Sequence, residues 1–280
     1  MDYQELWHRL ARVYDANEAK AVARMLYEVR YGLTLADLLM GRDRDVPQDE
    51  LERLVTRLER QEPVQYVLGV ADFCGRPFHV EPGVLIPRPE TEELCRWIIE
   101  HSTMTNHNIL DIGTGSGCIA VTLALELPDS QVSACDISDT ALRIAKDNAE
   151  RLGVAVNFKK TDILHLPTAS SLPTPSYDLI VSNPPYICDG EAAAMESNVL
   201  DHEPHTALFV PDNDPLLFYR AIAHYGTYAL KAGGWLYFEI NPLYVEALHQ
   251  LLKAMSYHNI ETKADQYGKL RMMRARKSEK

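Results

Sequence analysis

The chain has 280 residues, 46% of them hydrophobic and 24% charged, enough for one large domain or for a catalytic domain with a small companion. Its net charge of -12 at pH 7 argues against a protein that holds long stretches of nucleic-acid backbone, because neutralising phosphates takes a basic surface. No apolar run is long enough to span a bilayer, and the start, MDYQELWHRL, lacks a signal-peptide core, so a cytoplasmic protein is expected.

In chain order, the first elements are helices. Leu6, Leu10 and Val13 recur at helical spacing. Asp15 or Asn17 caps a second helix carrying Ala21, Met25, Leu26 and Val29, and Gly32 ends it. Leu33 to Met40 reads as a short helix closed by Gly41. Pro47 suits a first helical turn ahead of the stripe Leu51, Leu54, Val55 and Leu58. Residues 1–62 thus read as a small helical bundle with no catalytic constellation, a candidate module for recognising a partner. Residues 63–90 hold five prolines among β-formers, and their period shifts towards two around Phe73 and Phe78–Val80. That composition predicts a linker with a hairpin.

From residue 91 helices and strands alternate. A helix over 91–100 precedes the apolar run Ile109-Leu110, and a helix follows Gly117. Strands are expected over 131–135, 154–160, 177–182, 235–240 and 270–275. Helices are expected over 141–151, 216–229 and 244–255, with a long irregular region after residue 182. Such alternation predicts an α/β fold, a mostly parallel Rossmann-like sheet with helices on both faces. Ligands of these sheets sit beyond the carboxyl ends of the strands, so the motifs are read there.

Three strand ends carry acidic residues. The segment ILDIGTGSG joins a strand to a helix through Gly113, Gly115 and Gly117, with Asp111 ahead of them. Glycines allow a sharp turn and close approach of a ligand. A carboxylate beside them is unwelcome to a pyrophosphate and welcome to a cation such as S-adenosyl-L-methionine; the alternative is a purely structural turn. Asp136 ends the next strand, placed to accept hydrogen bonds from ribose hydroxyls or, alternatively, to cap the following helix, for which Ser138 and Asp139 also serve. Asp162 follows the third strand, where it would meet the adenine amine, with Ile163 against the ring.

The fourth strand end reads Ser182-Asn183-Pro184-Pro185-Tyr186. A planar amino group has its lone pair delocalised and is a poor nucleophile. It needs two acceptors that hold its hydrogens while the nitrogen pyramidalises. The Asn183 side-chain oxygen and the Pro184 carbonyl can be those acceptors, the two prolines stiffen the turn, and Tyr186 offers a face for stacking. Positioning and charge relief then suffice without a strong base. The cysteines, at 74, 95, 118, 135 and 188, form no C-x-x-C pair and read as buried thiols. The run His202-Glu203-Pro204-His205 reads as a loop, so no metal site is expected.

On these residues, and on EPVQYVLG (62–69), VLIPRPETEEL (84–94), HEPHTALF (202–209) and FEI (238–240), the chain resembles the class I methyltransferases. Within them it looks like the HemK/PrmC family, the N5-glutamine methyltransferases of peptide chain release factors. The resemblance covers the chain from about 62 to the end. It implies S-adenosyl-L-methionine as cofactor and the glutamine of a release factor Gly-Gly-Gln loop as substrate. Gly113, Thr114, Gly115, Ser116 and Gly117 would contact the methionine end, with Asp111 beside them. Asp136 would hold the ribose, Asp162 and Ile163 would flank the adenine, and Asn183 to Tyr186 would bind the substrate amide beside the cofactor. The loop from Pro87 to Glu92 would close over the site. The implied organisation is a recognition domain (1–62), a linker (63–90) and a methyltransferase domain (91–280), working as a monomer without direct contact to nucleic acid. The chain departs from the family pattern at Asn241-Pro242 and in the acidic stretch 188–200. Two other targets share the planar amino group: adenine N6 in a nucleic acid and a glutamine of a ribosomal protein. A third alternative is a non-enzymatic binding module on the same fold.

Overall fold

The computed structural model describes residues 1–102, 106–165 and 176–279. The chain divides into two compact units: residues 1–70, 80–82 and 195–203 form one, and residues 71–79, 83–194 and 204–280 the other.

The first unit is helical. Its elements are α1 (Tyr3–Leu10), α2 (Ala16–Tyr31), α3 (Leu35–Leu39), α4 (Gln48–Leu58) and α5 (Val64–Leu68), joined by the later helix spanning Ser197–His202. Asp2 and Glu5 form a reciprocal capping box at α1. The Asp15 carboxylate accepts from the Asn17 and Glu18 amides at 2.8 and 3.0 Å, which fixes the start of α2. Pro47 stands one place earlier than expected: it is the residue before α4, with φ of -62°, and Gln48 begins the helix. The apolar stripes meet in one core of Leu6, Leu10, Leu26, Leu51, Val55 and Leu58. Val67 of α5 is buried in the same core, which carries the helical unit past residue 62 to Val70.

The second unit is built on a sheet. A hairpin of β1 (Val70–Phe73) and β2 (Arg76–His79) is followed by α6 (Pro89–His101), β3 (Asn108–Ile112), α7 (Cys118–Glu126), β4 (Gln131–Asp136), α8 (Asp139–Arg151), β5 (Asn157–Lys160) and β6 (Tyr177–Ser182). The short strands β7 (Ile187–Cys188) and β8 (Phe209–Val210) pair in parallel; in chain order α9 (Ser197–His202) and α10 (His205–Leu208) fall between them. Then come α11 (Leu217–Ala229), β9 (Leu230–Glu239), α12 (Val245–Ala254), β10 (Tyr257–Ala264) and β11 (Leu270–Lys277). The region expected to be irregular after residue 182 therefore holds short regular pieces.

The seven-stranded sheet has the order β10-β11-β9-β6-β3-β4-β5. Six strands run in one direction, and β11, between β10 and β9, is antiparallel to both its neighbours. Side chains alternate across it, as strand geometry requires. Ile109, Leu179, Val181 and Tyr237 face one core with α6 and α7. Leu110, Ile180, Leu236 and Phe238 face the other with α11 and α12. The mostly parallel α/β architecture is the expected one, with β10 as an additional edge strand. β5 is shorter than expected, and β9 begins five residues earlier.

The chain builds β3, β4 and β5 in one direction and then returns to lay β6 and β9 on the other side of β3. The order reverses between β3 and β6, the place where an open α/β sheet leaves a crevice at its carboxyl edge. The five cysteines are free thiols. Among the described residues no cluster of three metal-ligating side chains occurs, and no helix is long and apolar enough to cross a membrane.

Candidate active site

A cavity of about 400 Å³ opens at that edge, within the range of small-molecule sites. Gly113, Thr114, Gly115 and Ser116 line it from the end of β3, Asp136 from β4, Asp162 and Ile163 from the turn after β5, and Asn183, Pro184 and Pro185 from the end of β6. Residues expected from four separate strand ends thus share one wall-to-wall space.

The glycine turn is held from outside. The amides of Gly113 and Thr114 both donate to the Cys135 carbonyl, at 2.9 and 3.0 Å. The Gly115 amide donates to Asp136 Oδ2 at 2.9 Å, and the Ser138 amide donates to Asp136 Oδ1 at 2.9 Å. Each Asp136 oxygen retains a lone pair for another donor. Burial raises the Asp136 carboxyl above its ordinary range, against the pull of the Ser138, Gly115 and Ile137 amides. Ser138 is the residue that caps α8, accepting from the Ala141 amide at 3.2 Å, while Asp139 pairs with Lys160 at 2.5 Å. Gly113 and Gly115 have φ of 75° and 55°, and a Cβ on either would project into open space. Asp162 accepts from the Leu164 amide at 2.9 Å and meets His165 Nδ1 at 2.7 Å.

Three expected contacts fall outside the lining: Asp111, Gly117 and Tyr186. Asp111 is fully buried behind the turn, where its Oδ2 accepts from the Thr114 hydroxyl at 2.6 Å. Burial pushes its carboxyl up to about 7. Gly117 turns towards α8: a Cβ there would stand 2.9 Å from the Ala145 Cβ. Its glycine serves helix packing, with φ of 82°, and not ligand approach. Tyr186 packs its ring against the core of α11 and α12, and its hydroxyl donates to Glu239 Oε1 at 3.0 Å. The stacking face expected of it is therefore spent on the interior.

The stretch expected to be a closing loop begins a helix. Pro89 occupies the first turn of α6, and Thr91 is buried on its inner side while still lining the cavity. Thr91 and Glu239 went unassigned in the sequence, although both lie within the quoted motifs. The Thr91 hydroxyl donates to Glu239 Oε2 at 2.6 Å, and Asn183 Nδ2 donates to Thr91 Oγ1 at 3.2 Å. The available signal was an acid closing an otherwise apolar strand, Trp235 to Glu239. Among the described residues no donor is bonded to the Pro184 carbonyl or to Asn183 Oδ1. Two acceptors thus stand in the same cavity as the glycine turn, at the end of the neighbouring strand.

These residues fit S-adenosyl-L-methionine. Gly113 and Gly115 leave space that any side chain would fill, and Asp136 presents a carboxylate to the same cavity.

The Methyltransferase small domain family matches residues 90–202, and the PrmC N-terminal domain family matches residues 4–69. Among solved structures, a methyltransferase from Pyrococcus furiosus superposes with a TM-score of 0.54 at 16% identity, covering 80% of this chain and 97% of that one. Human methyltransferase 10 domain containing protein superposes with a TM-score of 0.52 at 18% identity, covering 74% and 89%. Both show the class I methyltransferase fold. The release factor glutamine methyltransferase of Bacteroides thetaiotaomicron is 45% identical over 95% of this chain and 95% of its own. That of Flavobacterium psychrophilum is 42% identical over 95% and 94%. With such identity across nearly the whole length, the chain belongs to the release factor glutamine methyltransferase family.

Proposed function

We propose that this protein methylates the side-chain amide nitrogen (N5) of the glutamine in the Gly-Gly-Gln loop of peptide chain release factors, with S-adenosyl-L-methionine as donor, and so modulates translation termination. One observation carries the reading: two uncommitted carbonyl acceptors, on Asn183 and Pro184, share a cavity with a glycine turn and the Asp136 carboxylate.

The cofactor supplies a methyl group on a positively charged sulfur. Gly113 to Ser116 would hold its methionine end, Asp136 would accept from its ribose, and Asp162 and Ile163 would flank its adenine. Asn183 Oδ1 and the Pro184 carbonyl accept the two hydrogens of the substrate amide. They hold the nitrogen in place as its lone pair leaves conjugation, and Pro184 and Pro185 keep the acceptors from turning away. Gly117 and Tyr186 act behind this layer by fixing α8 and the end of the Asn-Pro-Pro-Tyr segment.

Residues 1–62 recognise the protein substrate, 63–90 form the link, and 91–280 carry the chemistry. The protein works as a cytoplasmic monomer that takes the release factor directly, without contact to nucleic acid. The test is to incubate the purified protein with labelled S-adenosyl-L-methionine and, in parallel, a bacterial release factor, ribosomal proteins and DNA, and to map the products by mass. Label on the Gly-Gly-Gln glutamine is expected; label on adenine or on a ribosomal protein alone would replace this reading.

A further inference from the structure

We infer that Thr91 and Glu239 are positioning residues that fix which end of the Asn183 amide faces the substrate. The inference rests on the role proposed above for Asn183 and deepens it.

Glu239 closes β9. In the parallel register Ser182 stands opposite Phe238, so Glu239 comes level with Asn183 at the carboxyl edge. Its side chain is almost wholly removed from solvent, at 2% exposure. A buried carboxylate costs stability unless donors meet both oxygens. Two hydroxyls do so here: Thr91 reaches Oε2 at 2.6 Å and Tyr186 reaches Oε1 at 3.0 Å.

A threonine hydroxyl has one proton. With that proton given to Glu239, Thr91 Oγ1 can only accept. The group it meets is Asn183 Nδ2, at 3.2 Å. An asparagine amide has a donating end and an accepting end, and the relay ties down the donating one. Oδ1 is then the end left for the substrate. This is the end the chemistry needs: a substrate NH2 must meet an acceptor, and a reversed Asn183 would set donor against donor.

Removing the carboxylate releases the Thr91 proton, which can turn to Asn183 Oδ1 and stabilise the reversed amide. The same carboxylate holds Tyr186. Both ends of the Asn-Pro-Pro-Tyr segment therefore hang on one buried group from another strand.

The experiment uses the full chain, a purified bacterial release factor, and three variants: Thr91→Val, which keeps the shape and loses the hydroxyl; Thr91→Ser, which keeps the hydroxyl; and Glu239→Gln, which keeps the volume. Thr91→Val and Glu239→Gln are expected to lower kcat roughly 10- to 100-fold at saturating substrates, the scale of a misplaced reacting group. Calorimetric affinity for S-adenosyl-L-methionine should stay within about twofold, and Thr91→Ser should keep kcat within about threefold. The double variant should fall no further than the worse single one, because both act through one amide. A second readout needs no turnover: in 15N-labelled protein the Asn183 side-chain amide, assigned by its absence in Asn183→Ala, should show one exchange-protected proton in the wild type and Thr91→Ser, lost in Thr91→Val.

Unchanged kcat in Thr91→Val and Glu239→Gln, multiplying losses in the double variant, or Asn183 amide signals indifferent to Thr91→Val would each overturn the inference. If the wild type transfers nothing to the release factor, the proposed function fails, and the amide signals alone decide the orientation of Asn183.

Discussion

Gly117→Ala separates packing from ligand contact in the glycine turn. The new Cβ would stand 2.9 Å from the Ala145 Cβ and 3.1 Å from the Ala145 Cα, distances that force backbone or helix to shift. The residue must also keep φ near 82°, which costs an L-residue roughly 1–2 kcal/mol. Overpacking against a helix adds about 1–3 kcal/mol, since α8 cannot yield as a flexible side chain would. The sum is about 2–5 kcal/mol, a drop in Tm of roughly 4–20 °C for a chain of this size. Gly113→Ala and Gly115→Ala share the backbone cost, but their Cβ atoms meet nothing within 4 Å. They should melt closer to the wild type and lose affinity for S-adenosyl-L-methionine. Thermal unfolding by circular dichroism, paired with calorimetric binding, reads both quantities. If Gly117→Ala melts within a degree or two of the wild type while losing cofactor affinity, the packing argument is wrong and Gly117 faces the ligand.

Asn183→Ala should cut transfer by roughly 10²–10³-fold, as loss of a positioned transition-state contact does, with cofactor affinity nearly unchanged; equal loss of both would refute the role given to Asn183. Asp111→Asn tests the buried carboxyl. Burial lifts its pKa from 3.8 to about 7, so the folded chain keeps a proton that the unfolded chain releases. The stability this group contributes is full below 3.8 and is lost as pH rises through 7. The stability advantage of Asp111→Asn over the wild type should therefore grow across that window and level off above it; denaturant melts showing the reverse slope would contradict the assignment. Removing residues 1–62 should weaken turnover on a release factor far more than cofactor binding, and unchanged turnover would show that recognition lies elsewhere.

The framework of the site was legible because local rules produce it. Strand ends, the glycine turn and the Asn-Pro-Pro-Tyr segment each follow from a short window and from the rule that parallel sheets bind ligands at their carboxyl edge. What escaped was decided by distant partners. Thr91 and Glu239 are 148 positions apart, and nothing near either one announces the other. Tyr186 reads as a stacking surface until Glu239 draws its hydroxyl inward. Gly117 looks like its two neighbours in the turn, and only Ala145, on another helix, sets it apart. The strand β10 was hidden for a different reason: Tyr257–Ala264 is an edge strand with a single buried residue, Tyr257, so no apolar run marks it.

Asn148 bears on how portable the sheet is. This fully buried residue of α8 donates through Nδ2 to the carbonyls of His79 and Ser116, both at 2.9 Å, and its Oδ1 accepts from the His79 amide at 2.6 Å. One residue of the hairpin, through its own N–H and C=O, thus completes an asparagine whose remaining bond steadies the glycine turn. A fragment cut at residue 91 would keep the glycine turn, the acidic strand ends and the Asn-Pro-Pro-Tyr segment, and would lose two of the three hydrogen bonds of Asn148. Grafts or shortened versions of this enzyme need the hairpin as an integral part of the cofactor cradle, whatever sequence serves to connect it to the helices before it.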